Sequence, residues 1–177
     1  MKTPKKWFVL WFTGLSWAGK TTNADAVADK MIKMWYKNIQ RLDGDDIRKN
    51  LCADLGFSKK DRQTNLSRAW YVAELLSKNG VGVIASFISP YSEDREKIRL
   101  QSNNYIEIFV DTPLSVCEQR DTKGMYQKAR AGVIKEFTGI SDPYELPINP
   151  EITIYTDRDV ENNADKIIQY ILENNFL

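Results

Sequence analysis

The stretch "GLSWAGKTT", Gly14 to Thr22, follows a short apolar run and opens a polar helical pattern. Gly14, Gly19, Lys20 and Thr21 satisfy G-x-x-x-x-G-K-[ST], a loop whose backbone N–H groups cradle phosphates. In such a loop the lysine reaches the β and γ phosphates and the hydroxyl ligates Mg²⁺. The spacing therefore points to a nucleoside triphosphate held by Gly14, Leu15, Ser16, Trp17, Ala18, Gly19, Lys20, Thr21 and Thr22, with Thr21 as the metal ligand. G-x-G-x-x-G is absent, which disfavours a dinucleotide fingerprint. Trp17 is the odd member, because a bulky side chain there must project away from the phosphates. Its indole either packs on a neighbouring helix or reaches toward an acceptor pocket.

Working outward, the runs on either side of this loop alternate between strand and helix. "KWFVLWFTG" reads as a buried first strand, and the helix after the loop is expected from about Thr21 to Trp35, with Ala26, Val27, Met31 and Met34 near one face. "IQRLDGDD" reads as a second strand ending in carboxylates, followed by a helical region from about Ser58 to Asn79. "VGVIASF" and "YIEIFVD" are further continuous apolar strands with a helix between them. "DTPLSVCEQR" starts another helix with its proline near the first turn, "EITIYTD" is a fifth strand, and Val160 to Asn175 is a terminal helix. Unbroken apolar strands suit a parallel sheet covered on both faces. The expected fold is a three-layer α/β/α sandwich with a mainly parallel sheet, of the P-loop kinase type, in one domain over residues 1–177. The site belongs at the carboxyl ends of the strands. Residues 121–150, rich in Gly, Lys, Arg and Pro, break the periodicity and read as a lid or binding loop.

Composition excludes several classes. The chain has 177 residues, and 25 basic against 24 acidic residues leave a net charge of +1, so bulk charge suggests neither a nucleic-acid nor a membrane partner. The lysines of "KTPKK" read as a solvated tail. Cys52 and Cys117 lie far apart with no metal-ligand spacing, as expected of ordinary thiols in a reducing, cytoplasmic setting. No apolar stretch is long enough for a membrane span, and no signal-peptide pattern opens the chain. Histidine is absent, so a general base must be Asp, Glu, Lys or Tyr. A switch GTPase is disfavoured: "DTKG" matches D-x-x-G but follows a predicted helix, and no N-K-x-D exists.

Three polar clusters narrow the chemistry. In "LDGDDIR", Asp43 and Asp45 leave a strand end beside Gly44 with Arg48 close behind, a place to hold an acceptor hydroxyl or simply a turn and helix cap. "GFSKKDRQTNLSR" puts Arg62 and Asn65 on one helix face with Phe57 just before it, a pattern that alone reads as a solvated face and one core aromatic. "RDTKGMYQKARAG" supplies the lysines and arginines that a transferring phosphoryl group would need.

Over almost its whole length the chain resembles the adenylylsulfate kinases. The resemblance rests on "GLSWAGKTT", "LDGDDIRKNLCADLGFSKKDRQTNLSR", "ASFISPYSEDR", "IFVDTPLSVCEQRDTKGMYQKARAG" and "KEFTGISDPYELP", matched in order. It implies transfer of a phosphoryl group from MgATP to the 3′-hydroxyl of adenosine 5′-phosphosulfate. It further implies that Asp45 activates the ribose hydroxyl, with Lys20 as its catalytic partner on the donor side, and that Arg48, Arg62 and Asn65 hold the phosphosulfate and ribose. Phe57 and Phe137 would sandwich the base, Ile88 and Ser89 would begin the loop near Lys20, Lys123 and the Lys128 to Arg130 stretch would belong to the lid, and Arg120 would lie near the ATP base. The family is often dimeric, so a homodimer is a possible assembly. This chain departs from the pattern at Trp17, where a small residue is usual, and at Ser92, where arginine is usual; an N-terminal arm and an attached sulfurylase domain are not expected. A related group that phosphorylates cytidine diphosphoramidate stands as the alternative acceptor reading.

Overall fold

The first strand, β1 (Val9–Thr13), is buried at all five positions. Its alternate residues face opposite ways, as a pleated strand requires. Phe8, Leu10 and Phe12 join one hydrophobic cluster, whereas Val9 and Trp11 join another on the other side of the sheet. A continuous apolar run is thus the consequence of a strand covered twice. This computed structural model describes residues 7–156 and 159–177, so the "KTPKK" lysines and the end of "EITIYTD" at Asp157 lie outside the described residues.

Twelve elements follow one another in the described chain: β1, α1 (Lys20–Lys33), β2 (Ile39–Asp43), α2 (Gly44–Asn50), α3 (Lys59–Lys78), β3 (Gly82–Ser86), α4 (Ser92–Gln101), β4 (Tyr105–Asp111), α5 (Leu114–Gln119), α6 (Met125–Arg130), β5 (Ile152–Tyr155) and α7 (Val160–Glu173). The five strands form one sheet in the order β2-β3-β1-β4-β5, and every pairing is parallel. Leu10 of β1 pairs with Ile84 of β3 and Ile106 of β4, which fixes the central register. The three-layer α/β/α architecture expected from the strand pattern is the one observed. One face carries α1 and α7 through Val27, Met31, Ile167 and Ile171, and the other carries α3 and α4 through Leu66, Ala69, Ala73 and Ile98. Lys30 ties α1 to α7 by pairing with Glu161 and Asp165 at 3.0 and 2.5 Å.

Several boundaries differ from expectation. The first helix stops at Lys33 because Trp35 takes a left-handed φ of 71°, a turn that swings Tyr36 into the core and leaves Trp35 exposed. The second strand stops at Asp43, whose carboxylate accepts the Asp45 N–H at 2.9 Å and so caps α2. Asp45 therefore sits on a helix and not on a strand. The 121–150 region is not wholly irregular, since it contains α6 and a bridge between Thr138 and Asp142. Both cysteines are buried and free. Among the described residues no helix is long and apolar enough to cross a membrane.

With β1 central, its carboxyl end opens between two half-sheets. The ends of β2 and β3 lie to one side, and those of β4 and β5 to the other. Open parallel sheets bind ligands in this kind of crevice.

Candidate active site

The loop after β1 is shaped by two glycines. A side chain at Gly14 would put its Cβ 2.8 Å from the Val110 carbonyl oxygen, so only glycine lets the loop pass this close to β4. Gly19 adopts a φ of 93° at the N-cap of α1, which aims the first amides of a 14-residue helix back into the loop. The rest of the loop is anchored through its carbonyls: Tyr126 donates to Ser16 O at 3.1 Å and Thr112 to Ala18 O at 2.9 Å. Leu15 packs on the core, and Thr22 is exposed on α1.

Lys20 is half-buried with its ammonium turned inward, donating to the carbonyls of Gly14 at 3.1 Å and Leu15 at 2.6 Å. Burial lowers its pKa to about 8, against the raising influence of Cys117, Asp43 and Asp45.

Asp43 and Asp45 do different things. Asp43 accepts the Thr21 hydroxyl at 2.9 Å through one oxygen while capping α2 through the other. Asp45 is exposed, and its partner is the Lys123 ammonium, between α5 and α6, at 3.8 Å.

On the β2 and β3 side, the side chains singled out from sequence converge around Arg62. Its guanidinium donates to Phe57 O at 2.7 Å and to Thr138 Oγ1 at 2.8 Å, and it also donates to Glu136 O. One buried cation thus joins the loop before α3 to the strap that carries Phe137. Phe57 is exposed and not a core aromatic, with the Arg48 guanidinium stacked 4.6 Å from its ring. Arg48 also donates to Gly56 O at 2.6 Å. Asn65 is buried, and its Oδ1 has no hydrogen-bond partner. The solvated-face reading of Arg62 and Asn65 is therefore corrected: a distant segment closes over that face. Phe137 meets Tyr126 edge-on at 4.9 Å, so the strap rests on the same tyrosine that grips Ser16. Ile88 and Ser89 form the turn after β3. Thr13 donates to Ile88 O at 2.8 Å, Trp11 to Ser89 Oγ at 3.1 Å and Arg95 to Ser89 O at 2.7 Å, which together hold Ser89 at a φ of 41°.

On the β4 and β5 side, a groove of about 330 Å³ is lined by Asp111, Pro113, Val116, Arg120, Tyr155 and Thr156. Of these, only Arg120 was singled out from sequence. Asp111, Tyr155 and Thr156 could have been found from the strand-end position of "FVDTP" and "IYTD". Arg130 lies apart, pairing with Glu118 at 2.8 Å, and Lys128 is exposed. Ser92 donates its hydroxyl to Glu145 at 2.6 Å and its backbone N–H at 2.7 Å, so it anchors the strap to the start of α4.

Comparison with known proteins adds to this geometry. The family model described as adenylylsulphate kinase matches residues 6–155. A probable adenylyl-sulfate kinase of Pseudomonas aeruginosa is 53% identical over 163 residues, covering 92% of this chain and 76% of that one. The adenylyl-sulfate kinase of Rippkaea orientalis is 52% identical over 169 residues, covering 95% and 93%. Among solved structures, the Mycobacterium tuberculosis APS kinase in complex with AMPPNP and APS is 42% identical with a TM-score of 0.89, covering 96% of this chain and 99% of that one.

Proposed function

The chain belongs to the adenylylsulphate kinase family, and from that premise we propose that it transfers the γ-phosphoryl group of ATP to the 3′-hydroxyl of adenosine 5′-phosphosulfate. The observation that carries this reading is the meeting of Lys20, Thr21, Asp43 and Asp45 at the carboxyl ends of the parallel strands. The groove beside Arg120 takes the ATP nucleoside, and Phe57, Arg62, Asn65, Ser89 and Phe137 take the acceptor. The relatives near 50% identity, named as adenylyl-sulfate kinases, favour this acceptor over cytidine diphosphoramidate.

Phosphoryl transfer asks the protein for positioning and charge and little covalent chemistry. Lys20 leaves the Gly14 and Leu15 carbonyls for the β and γ phosphates, and the loop amides bind the same oxygens. Asp45 orients the 3′-hydroxyl and receives its proton. Arg48 and Arg62 hold the acceptor's anionic group, the orphan Asn65 Oδ1 accepts from a nucleotide hydroxyl, and the rings of Phe57 and Phe137 flank the base. The Thr21 hydroxyl and Asp43 carboxylate, already 2.9 Å apart, are hard oxygen donors suited to Mg²⁺. Such an ion neutralises charge on the β and γ phosphates when bound.

The test is a panel of acceptor nucleotides incubated with MgATP, with the position of the new phosphate read by NMR. Phosphate at the 3′-position of adenosine 5′-phosphosulfate is expected. Faster turnover of cytidine diphosphoramidate, or phosphate at another position, would overturn the assignment.

A further inference from the structure

Trp17 holds a φ of 61° inside the phosphate loop. A bulky residue in that region costs on the order of 1 kcal/mol or more and persists only where its surroundings impose it. The surroundings here are partly the core and partly the lid. The indole packs against the core cluster and carries the Lys123 ammonium 5.8 Å from its ring centroid. Lys123 in turn lies 3.8 Å from Asp45. Both partners of that ion pair are exposed, at 66% and 88% of their side-chain surface, and an exposed pair of flexible side chains contributes little by itself. Asp121 is pinned as well, accepting the N–H groups of Met125 and Tyr126 at 2.9 and 2.6 Å. The indole therefore meets the turn between α5 and α6 at Lys123, two residues beyond the carboxylate that holds the start of α6.

We propose that Trp17 is a positioning residue for phosphoryl transfer, seating the Lys123 ammonium beside Asp45 so that the loop holding the triphosphate also delivers the lid cation to the acceptor hydroxyl. The inference rests on the kinase reading above. A small residue in the loop would leave Lys123 to find Asp45 unaided. Tryptophan supplies a rigid π face for the cation at little cost in side-chain freedom.

The experiment is a kinetic cycle with Trp17→Leu, Trp17→Phe, Lys123→Ala and the Trp17→Leu/Lys123→Ala pair. ATP affinity is measured by calorimetry and thermal stability is followed alongside. Leucine keeps an apolar side chain on the same strained backbone without a π face, and phenylalanine keeps the face. Trp17→Leu should lower kcat about fivefold, the scale of one exposed cation–π contact, with ATP affinity within twofold of wild type. Trp17→Phe should recover kcat to within about twofold of wild type, and the double variant should be no slower than Lys123→Ala alone. Wild-type kcat in Trp17→Leu, equal impairment of the leucine and phenylalanine variants, or multiplying losses in the double variant would each overturn the proposal. The cycle needs only an acceptor that the wild type turns over, so failure of adenosine 5′-phosphosulfate as acceptor would be seen separately in the wild-type control.

Discussion

Raising the pH above 8 should weaken ATP binding through one side chain. The Lys20 ammonium sits against its own loop's carbonyls, and burial lowers its pKa from 10.5 to about 8. In the free protein the lysine is then about nine-tenths charged at pH 7 and about one-tenth charged at pH 9. A bound triphosphate favours the ammonium and returns the pKa toward its ordinary value, so binding at pH 9 must take up a proton. The sign follows: affinity is level below pH 8 and falls about tenfold, or 1.4 kcal/mol, for each unit above it until the pKa of the complex is reached. The unliganded fold responds oppositely. Its unfolded state holds the proton that the buried lysine has lost, so this group's contribution to stability rises between pH 8 and 10.5. Calorimetry with a non-hydrolysable ATP analogue, run at pH 9 in buffers of different ionisation enthalpy, reads the proton count directly. Uptake of about 0.9 proton is expected, with none in Lys20→Met. Binding without proton uptake at pH 9, or undiminished uptake in the variant, would refute the reasoning.

Three further outcomes separate the roles of neighbouring groups. Asp45→Asn should lower kcat by about 10² to 10⁴ with ATP affinity little changed, whereas Asp43→Asn should raise the Mg²⁺ requirement and leave stability nearly unchanged, since an asparagine oxygen still caps α2. If Asp43→Asn is the slower enzyme at saturating Mg²⁺, the two carboxylates have been assigned the wrong way round. Arg62→Lys cannot reproduce bonds to Phe57, Glu136 and Thr138 together, so the acceptor KM should rise about tenfold or more while the KM for ATP stays within twofold; an unchanged acceptor KM in steady-state assays would remove Arg62 from the recess. Gly14→Ala meets the Val110 carbonyl at 2.8 Å and should lose several kcal/mol in urea denaturation, a loss within error of zero being the contrary result.

The sequence alone determined what depends on neighbours along the chain. Strands β1 and β3 announced two-faced burial by being almost wholly apolar, and β4 did so apart from Glu107, which is buried against Arg95 and Arg99; the phosphate loop was legible because its glycines, lysine and hydroxyl act from positions within eight residues of one another. The recess and its contacts were decided by tertiary structure. Arg62 and Asn65 read as a solvated face, since helical spacing says which side chains share a face but not what covers it. The covering segment, residues 136–138, comes from more than 70 positions further on. Asp45 was assigned to the acceptor hydroxyl by resemblance, but the role of Asp43 appeared only in the fold, which brings its carboxylate to Thr21, 22 residues away. Trp17 could be placed on the loop but not aimed, because its direction depends on a positive φ and on where the turn after α5 delivers Lys123. Periodicity and propensity are local properties of the chain, whereas a catalytic recess is made where segments distant in sequence bury their polar groups against one another.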